Sequence, residues 1–108
     1  MKFENILERA ASLKSWNGEI IAEIGDIKAR LFRLTPDQKM VDLEEGHLGN
    51  EWILILAGEV LIETPTDKFT LKSGDSFIVP PGIDHRLNVD AEAVGLIVRD
   101  MKIDPARD

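Results

Sequence analysis

Short runs of alternating apolar and polar residues, separated by turn-forming residues, recur through most of this chain about every 8–12 positions. The first run begins at Ile20, the second at Ile27, and the last covers residues 94–99. Alternation with a period of two is typical of strands that have one face in a core. The spacing therefore predicts an all-β domain, a small antiparallel barrel or jelly roll.

The segment before these runs follows a different period. Residues 3–13 place apolar side chains at helical spacing, and Asn17-Gly18 supplies an end signal. We predict an N-terminal arm or short helix within residues 1–18, a β-barrel over 19–100 and a polar tail over 101–108. A length of 108 residues suits one domain.

Two connections bear on the arrangement of the strands. Residues 39–45 are predicted to be extended, and Gly58-Glu59 is predicted to be the hairpin turn between the apolar run 51–57 and its return strand. Turns that require a positive φ explain the three glycines Gly58, Gly74 and Gly82.

Charge and composition exclude several kinds of partner. The net charge is −7 with a pI near 4.8, and no cluster of Lys and Arg interrupts this balance, so a nucleic-acid partner is not expected. No run approaches about 20 apolar residues, and the N-terminus lacks the apolar core of a signal peptide, so we expect no membrane partner and a cytoplasmic location. The absence of cysteine excludes thiolate ligands and cysteine nucleophiles.

The chain contains two histidines, each in a segment rich in turn-forming residues. Strand alternation places Glu45 and His47 on one face and turns Glu44 to the other. A Leu-Gly-Asn turn brings Glu51 back towards His47, and His85 arrives from a later strand. Imidazole nitrogens and carboxylate oxygens that converge in this way indicate a metal site.

At these positions the sequence resembles the cupin family. The first cupin motif is matched by His47, Glu51 and Gly58 at the expected spacing, and Glu45 stands where a histidine is usual. The second motif is matched by Gly74, Pro80, Gly82 and His85. The resemblance implies that the jelly roll is a double-stranded β-helix.

The resemblance also implies a function. It makes His47, Glu51 and His85 metal ligands and puts Glu45 in the fourth ligand position. Such donors suit divalent Fe, Mn, Ni, Co or Zn, and a metal with open positions predicts dioxygenase, isomerase or lyase chemistry on a small polar metabolite. Glu45 has two further interpretations, a general base beside the metal or a group that faces water.

Other interpretations compete with this one. The cupin barrel is alternatively a non-catalytic module that binds a metal or a small ligand, or a metal-free barrel that serves association. Family resemblance predicts a homodimer, with the apolar strand 52–57 and the N-terminal arm as candidate surfaces. Trp52 is predicted to pack in the core or in that dimer. Arg99 is expected at the solvated surface, the alternative being a place in the barrel mouth where it pairs with a substrate carboxylate.

Overall fold

The computed structural model describes residues 5–103 as one short helix and eight strands. The helix α1 spans Ile6–Ala11. The strands are β1 (Gly18–Ile24), β2 (Ile27–Leu34), β3 (Glu51–Ala57), β4 (Glu59–Glu63), β5 (Lys68–Lys72), β6 (Ser76–Val79), β7 (Arg86–Asn88) and β8 (Ala93–Asp100).

These strands form two antiparallel sheets, in the order β1-β2-β8-β3-β6 and β5-β4-β7. The predicted all-β jelly roll is thereby confirmed. The sheets bury a common apolar core, because alternate residues of each strand point inwards and are removed from water. The buried members are Phe32, Leu34, Ile53, Ile55, Val60, Ile62, Leu71, Val79, Leu87 and Ala93.

The short helix lies against the outer side of β2. Its N-cap is Asn5, whose side-chain oxygen accepts hydrogen bonds from the backbone of Leu7 and Glu8. Its buried residue is Ala10, and Arg9 pairs with Glu19 on β1. The part of the predicted helix before residue 5 and the tail after residue 103 lie outside the described residues. The domain boundaries therefore stay a prediction.

One predicted connection is wrong, and a second, the extended segment 39–45, belongs to neither sheet. Gly58 does not close a hairpin, because β3 and β4 belong to different sheets; it is a corner with a φ of 81° where the chain passes from one sheet to the other. Residues 39–45 form no strand, and their one ladder contact is an isolated bridge between Glu44 and His85. The predicted positive φ values at Gly58, Gly74 and Gly82 are confirmed.

Register decides which charged residues face the interior. Partners in an antiparallel ladder share a face. Glu51 pairs with Arg99 in the β3-β8 ladder, and Arg30 pairs with Ile97 in the β2-β8 ladder. Ile97 in turn pairs with the core residue Ile53. Two arginines and one glutamate of the larger sheet therefore lie on its inner face. Within residues 5–103, no helix is long and apolar enough to cross a membrane.

Candidate metal centre

A close crossing of two loops brings the histidines together. The backbones of Glu44 and His85 exchange hydrogen bonds of 2.6 and 3.0 Å, and the amide of Gly82 donates to the carbonyl of His47 at 2.8 Å. Gly46 lies between these contacts, and a Cβ atom there would be 2.4 Å from the carbonyl carbon of Gly82. Only glycine permits this approach. The ring centroids of the two histidines are consequently 5.4 Å apart.

Carboxylates surround the two rings. Nε2 of His47 is 2.7 Å from Oε2 of Glu51 and 4.0 Å from Oε1 of Glu44. Nε2 of His85 is 3.4 Å from Oε1 of Glu51. One donor atom each from Glu44, His47 and His85 lies within 4.8 Å of the others. Both histidines and Glu51 are buried, so this concentration of donors is held in an environment of low polarity.

His85 has the hydrogen-bonding arrangement that is usual for a metal ligand. Its Nδ1 lies 3.0 Å from the carbonyl oxygen of Ile83, which only accepts, so Nδ1 carries the ring proton and donates it. In the neutral ring, Nε2 then has a lone pair directed towards Glu51. A backbone carbonyl that fixes the second nitrogen of a histidine is the common support for metal ligation.

Burial lowers the pKa of His85, but its neighbours outweigh that effect. The contact to Glu51, the hydrogen bond to Ile83 and the negative charges of Glu51 and Glu44 raise the pKa above its usual value of 6.5. In the metal-free protein, protonation of His85 therefore contributes stability below about pH 6.5, and this contribution is lost as the pH rises through the higher folded-state pKa.

We expect this shift to be visible by NMR, because the chain has only two histidines to assign. In metal-free protein the His85 ring should titrate above pH 6.5, and Glu51→Gln should lower that midpoint. Since a proton and a metal compete for the same nitrogen, Zn²⁺ affinity should fall between pH 8 and pH 6, by more than an unshifted histidine would cause. A His85 midpoint below that of an ordinary histidine would contradict this description of the site.

Arg99 is part of the centre and not of the surface. Its side chain is buried, Nη1 lies 3.2 Å from Nδ1 of His47, and Nε lies 3.9 Å from Glu51. A guanidinium carries only donors, so Nδ1 of His47 accepts this hydrogen bond. The expectation that Arg99 is solvated at the surface is wrong, and the alternative place inside the barrel is confirmed. Its alternation with Gly95 and Ile97 on β8 is the signal in the sequence.

The structure places Glu44, and not Glu45, beside the histidines. Both carboxylates are exposed, but only Glu44 belongs to the group of donors within 4.8 Å. The predicted alternation is wrong here because this segment is held by one bridge and a glycine crossing, not by a continuous ladder. The predicted positions of His47, Glu51 and His85 are brought together. Metal ligation by Glu45 stays a prediction that this placement does not support.

The donors open into a cavity of about 330 Å³. Its polar lining comprises Glu44, His47, Glu51, His85, Arg30 and Arg99. Its remaining walls are Trp16, Gly18, Phe32, Leu34, Met40, Leu87 and Ile97. A mostly apolar cavity with a few convergent polar groups is the usual form of a small-molecule site.

Arg30 is the cavity residue that sequence reasoning missed. Its side chain lies across Gly18, where a Cβ atom would be 2.4 Å from Cδ of the arginine. The signal was present in the alternation of β2, because Arg30, Phe32 and Leu34 share one face. A larger depression of about 840 Å³, lined by residues including Lys39, Glu63, Arg86 and Asn88, contains neither histidine.

Two buried histidines and a buried carboxylate that open into the cavity of a jelly roll define a class of barrel protein suited to metal and small-molecule chemistry. Residues 30–98 match the cupin domain, and the chain belongs to that family. No curated protein sequence matches the chain at a significant level.

Solved structures agree with this assignment. A cupin-2 domain protein from Shewanella frigidimarina is similar over 90% of this chain and 93% of its own, with a TM-score of 0.80 and 20% identity. A Sphingomonas hydroquinone 1,2-dioxygenase with 4-hydroxybenzoate bound gives a TM-score of 0.77 and 19% identity over 89% of this chain and 31% of its own. A hydroquinone 1,2-dioxygenase in complex with Cd²⁺ and 4-hydroxybenzonitrile gives a TM-score of 0.76 and 18% identity, over 89% of this chain and 71% of its own. At sequence identities this low, the similarity shows a shared fold only.

Proposed function

We propose that this cupin binds a divalent transition metal and uses it to transform a small polar metabolite. The observation that carries the proposal is the convergence of two buried imidazoles on a buried carboxylate, with 2.7 and 3.4 Å between the nitrogens and Glu51. His47, Glu51 and His85 would hold the metal, with Glu44 as a further donor. This set of nitrogen and oxygen donors suits Fe, Mn, Ni, Co or Zn.

The residues present fit such a metal on one condition: Nδ1 of His47, which accepts from Arg99, would take up the ring proton and release that hydrogen bond, so that Nε2 has a lone pair for the metal. The supporting carbonyl at His85 leaves Nε2 as the ligand atom, and two carboxylates would balance the charge of a divalent ion. A metal bound there supplies Lewis-acid or oxygen-binding chemistry. The chain's own groups would exclude water and orient the ligand: the apolar walls of the cavity do the first, and Arg99 does the second.

Dioxygenase, isomerase and lyase reactions are all compatible with this set of donors. The dioxygenase reaction has one further support, because two solved structures of similar fold are hydroquinone dioxygenases. The second candidate is a module that binds metal or ligand without turnover. It is favoured by the small cavity, which leaves little room for a substrate and a co-reactant together.

One experiment separates these candidates. Protein reconstituted separately with each of the five metals is mixed with a panel of small phenols and hydroxy acids, while oxygen uptake and product formation are followed. Turnover that is lost in both His47→Ala and His85→Ala supports the enzyme. Bound metal without any turnover supports the binding module, and failure to bind any of the metals contradicts the enzyme and leaves a module that binds a small ligand alone. The cytoplasmic location expected from the sequence stays a prediction.

We further propose a homodimer that buries the outer face of the larger sheet. Trp52 is 41% exposed and Ile78 is 55% exposed, and they are cross-strand partners in the β3-β6 ladder. Val98 continues the same row on β8. Trp52 is thus not a core residue, and a contiguous apolar row of this kind is typical of an interface.

Light scattering should therefore give twice the monomer mass of 12.1 kDa. Trp52→Glu should shift the protein to the monomer, because it buries a charge in the interface. The matched control is Val41→Glu, an exposed apolar residue in the loop between β2 and β3, which should leave the mass unchanged. A wild-type mass near that of the monomer would contradict the proposal.

A further inference from the structure

The cavity beside the histidines holds two arginines whose presence the metal centre does not explain. Arg99 of β8 lies with Glu44 and Glu51 at the histidine end, 3.2 Å from Nδ1 of His47, and Arg30 comes from β2 of the same sheet. In the β2-β8 ladder Arg30 pairs with Ile97, and Arg99 follows two residues later on the same face. Diagonal neighbours of this kind lie about 7–8 Å apart at the backbone, within the joint reach of two long side chains.

Arg99 is buried and Arg30 is partly buried, and charge in such surroundings is costly unless a partner balances it. Arg99 is engaged by His47 and Glu51. Lys28 is on the same face of β2 but does not line the cavity, so a positive side chain on this face does not have to be a cavity residue. The two arginines that do line it give the cavity a cationic wall.

We propose that Arg30 and Arg99 form a carboxylate-binding subsite, and that the ligand is a small organic acid with an apolar body. The carboxylate would be held by the guanidinium groups, whose planar donors match it in geometry. The apolar body would lie against Phe32, Leu34, Met40, Leu87 and Ile97. This deepens the proposed function and rests on it for the position of the reacting group.

Charge decides the orientation of this ligand. With a divalent metal present, the two charges of Glu44 and Glu51 balance it, so the metal end offers a carboxylate no net attraction. The two arginines carry the positive charge. The acid group is therefore placed at Arg30 and Arg99, beside the metal centre and not on the metal itself. A cavity of about 330 Å³ suits a ligand of roughly ten non-hydrogen atoms.

The test compares benzoate with its neutral isostere benzamide by calorimetry, on metal-loaded and metal-free protein with metal content measured in each sample. Wild type should bind benzoate at least about tenfold more tightly than benzamide, since a charge-assisted pair contributes that much. Arg30→Gln should abolish the difference in affinity between the two probes. Arg30→Lys should retain part of it, because lysine keeps the positive charge but lacks the paired N–H donors of a guanidinium. The matched control, Lys28→Gln, should retain all of it.

The outcomes separate this inference from the proposed function. Equal binding of the two probes by metal-loaded wild type, or no binding of either, overturns the subsite while leaving the metal centre intact. If Lys28→Gln loses the preference for benzoate as fully as Arg30→Gln does, the subsite is also overturned, because the preference would then depend only on the total positive charge of the sheet. A preference for benzoate in protein that binds none of the metals supports the subsite and contradicts the proposed function. Thermal melts of each variant identify any that fail to fold.

Discussion

Gly46→Ala should lower the free energy of unfolding by about 3 kcal/mol and the melting temperature by about 10 °C or more. The added Cβ would be 2.4, 2.6 and 2.8 Å from backbone atoms of Gly82 and Ile83, so one of the two loops has to move. That movement stretches the hydrogen bonds joining Glu44 to His85 and Gly82 to His47. The same substitution should therefore also separate the histidines.

Thermal and denaturant unfolding measure the first effect, and metal titration at a temperature where the variant is folded measures the second. The matched control is Gly49→Ala in the same loop, where an added Cβ meets only the side chain of Ile103, at 3.1 Å. This substitution should lower the free energy of unfolding by less than about 1 kcal/mol, because the side chain of Ile103 can move aside. Equal stability of Gly46→Ala and wild type would show that the loops do not cross as described.

Glu51→Gln should destabilise the metal-free protein by about 3 kcal/mol. Glu51 is buried and lies within 4.0 Å of His47, His85 and Arg99. Removing its charge leaves the Arg99 guanidinium in the interior without that counter-ion, and truncation of one partner of a buried pair carries a larger cost than the pair contributes. Glu92→Gln is the control, because Glu92 pairs with Arg33 at the exposed surface and should contribute less than about 1 kcal/mol.

A double variant distinguishes charge from packing. Arg99→Met in the Glu51→Gln background should recover about 1–3 kcal/mol relative to the sum of the single changes, because the uncompensated charge has gone. Additive effects would show that the carboxylate and the guanidinium do not interact. The single Glu51→Gln variant and the double variant should both bind metal more weakly, since both lack the proposed ligand Glu51.

The sequence predicts the strands and most of the centre for a physical reason. Strand positions follow from alternation, which a buried ladder enforces, and the runs beginning at Ile20 and Ile27 lie in β1 and β2. His47, Glu51 and His85 meet as predicted because the first two flank a short turn and the third follows a proline-glycine corner. The spacing of the two cupin motifs identifies these three residues as a group.

The errors share a cause. Which of Glu44 and Glu45 lies beside the histidines depends on the crossing of the two loops at Gly46. This contact joins residues far apart in the chain, and no local pattern encodes it. The corner at Gly58 is likewise set by which sheet the next strand joins. Arg30 and Arg99 are different, because alternation did place them on the inner face. At these two positions the period of the strand overrides the general rule that charged residues lie outside.

The measurement that tests the central claim most directly is metal affinity in Glu44→Gln beside Glu45→Gln. The two residues are adjacent and the substitutions are identical, but only Glu44 lies among the donors. Wild type should bind a divalent transition metal at one ion per chain, Glu44→Gln should weaken binding by about tenfold or more, and Glu45→Gln should bind within about twofold of wild type. A loss confined to Glu45→Gln, or a wild-type protein that binds no divalent transition metal, would contradict the account.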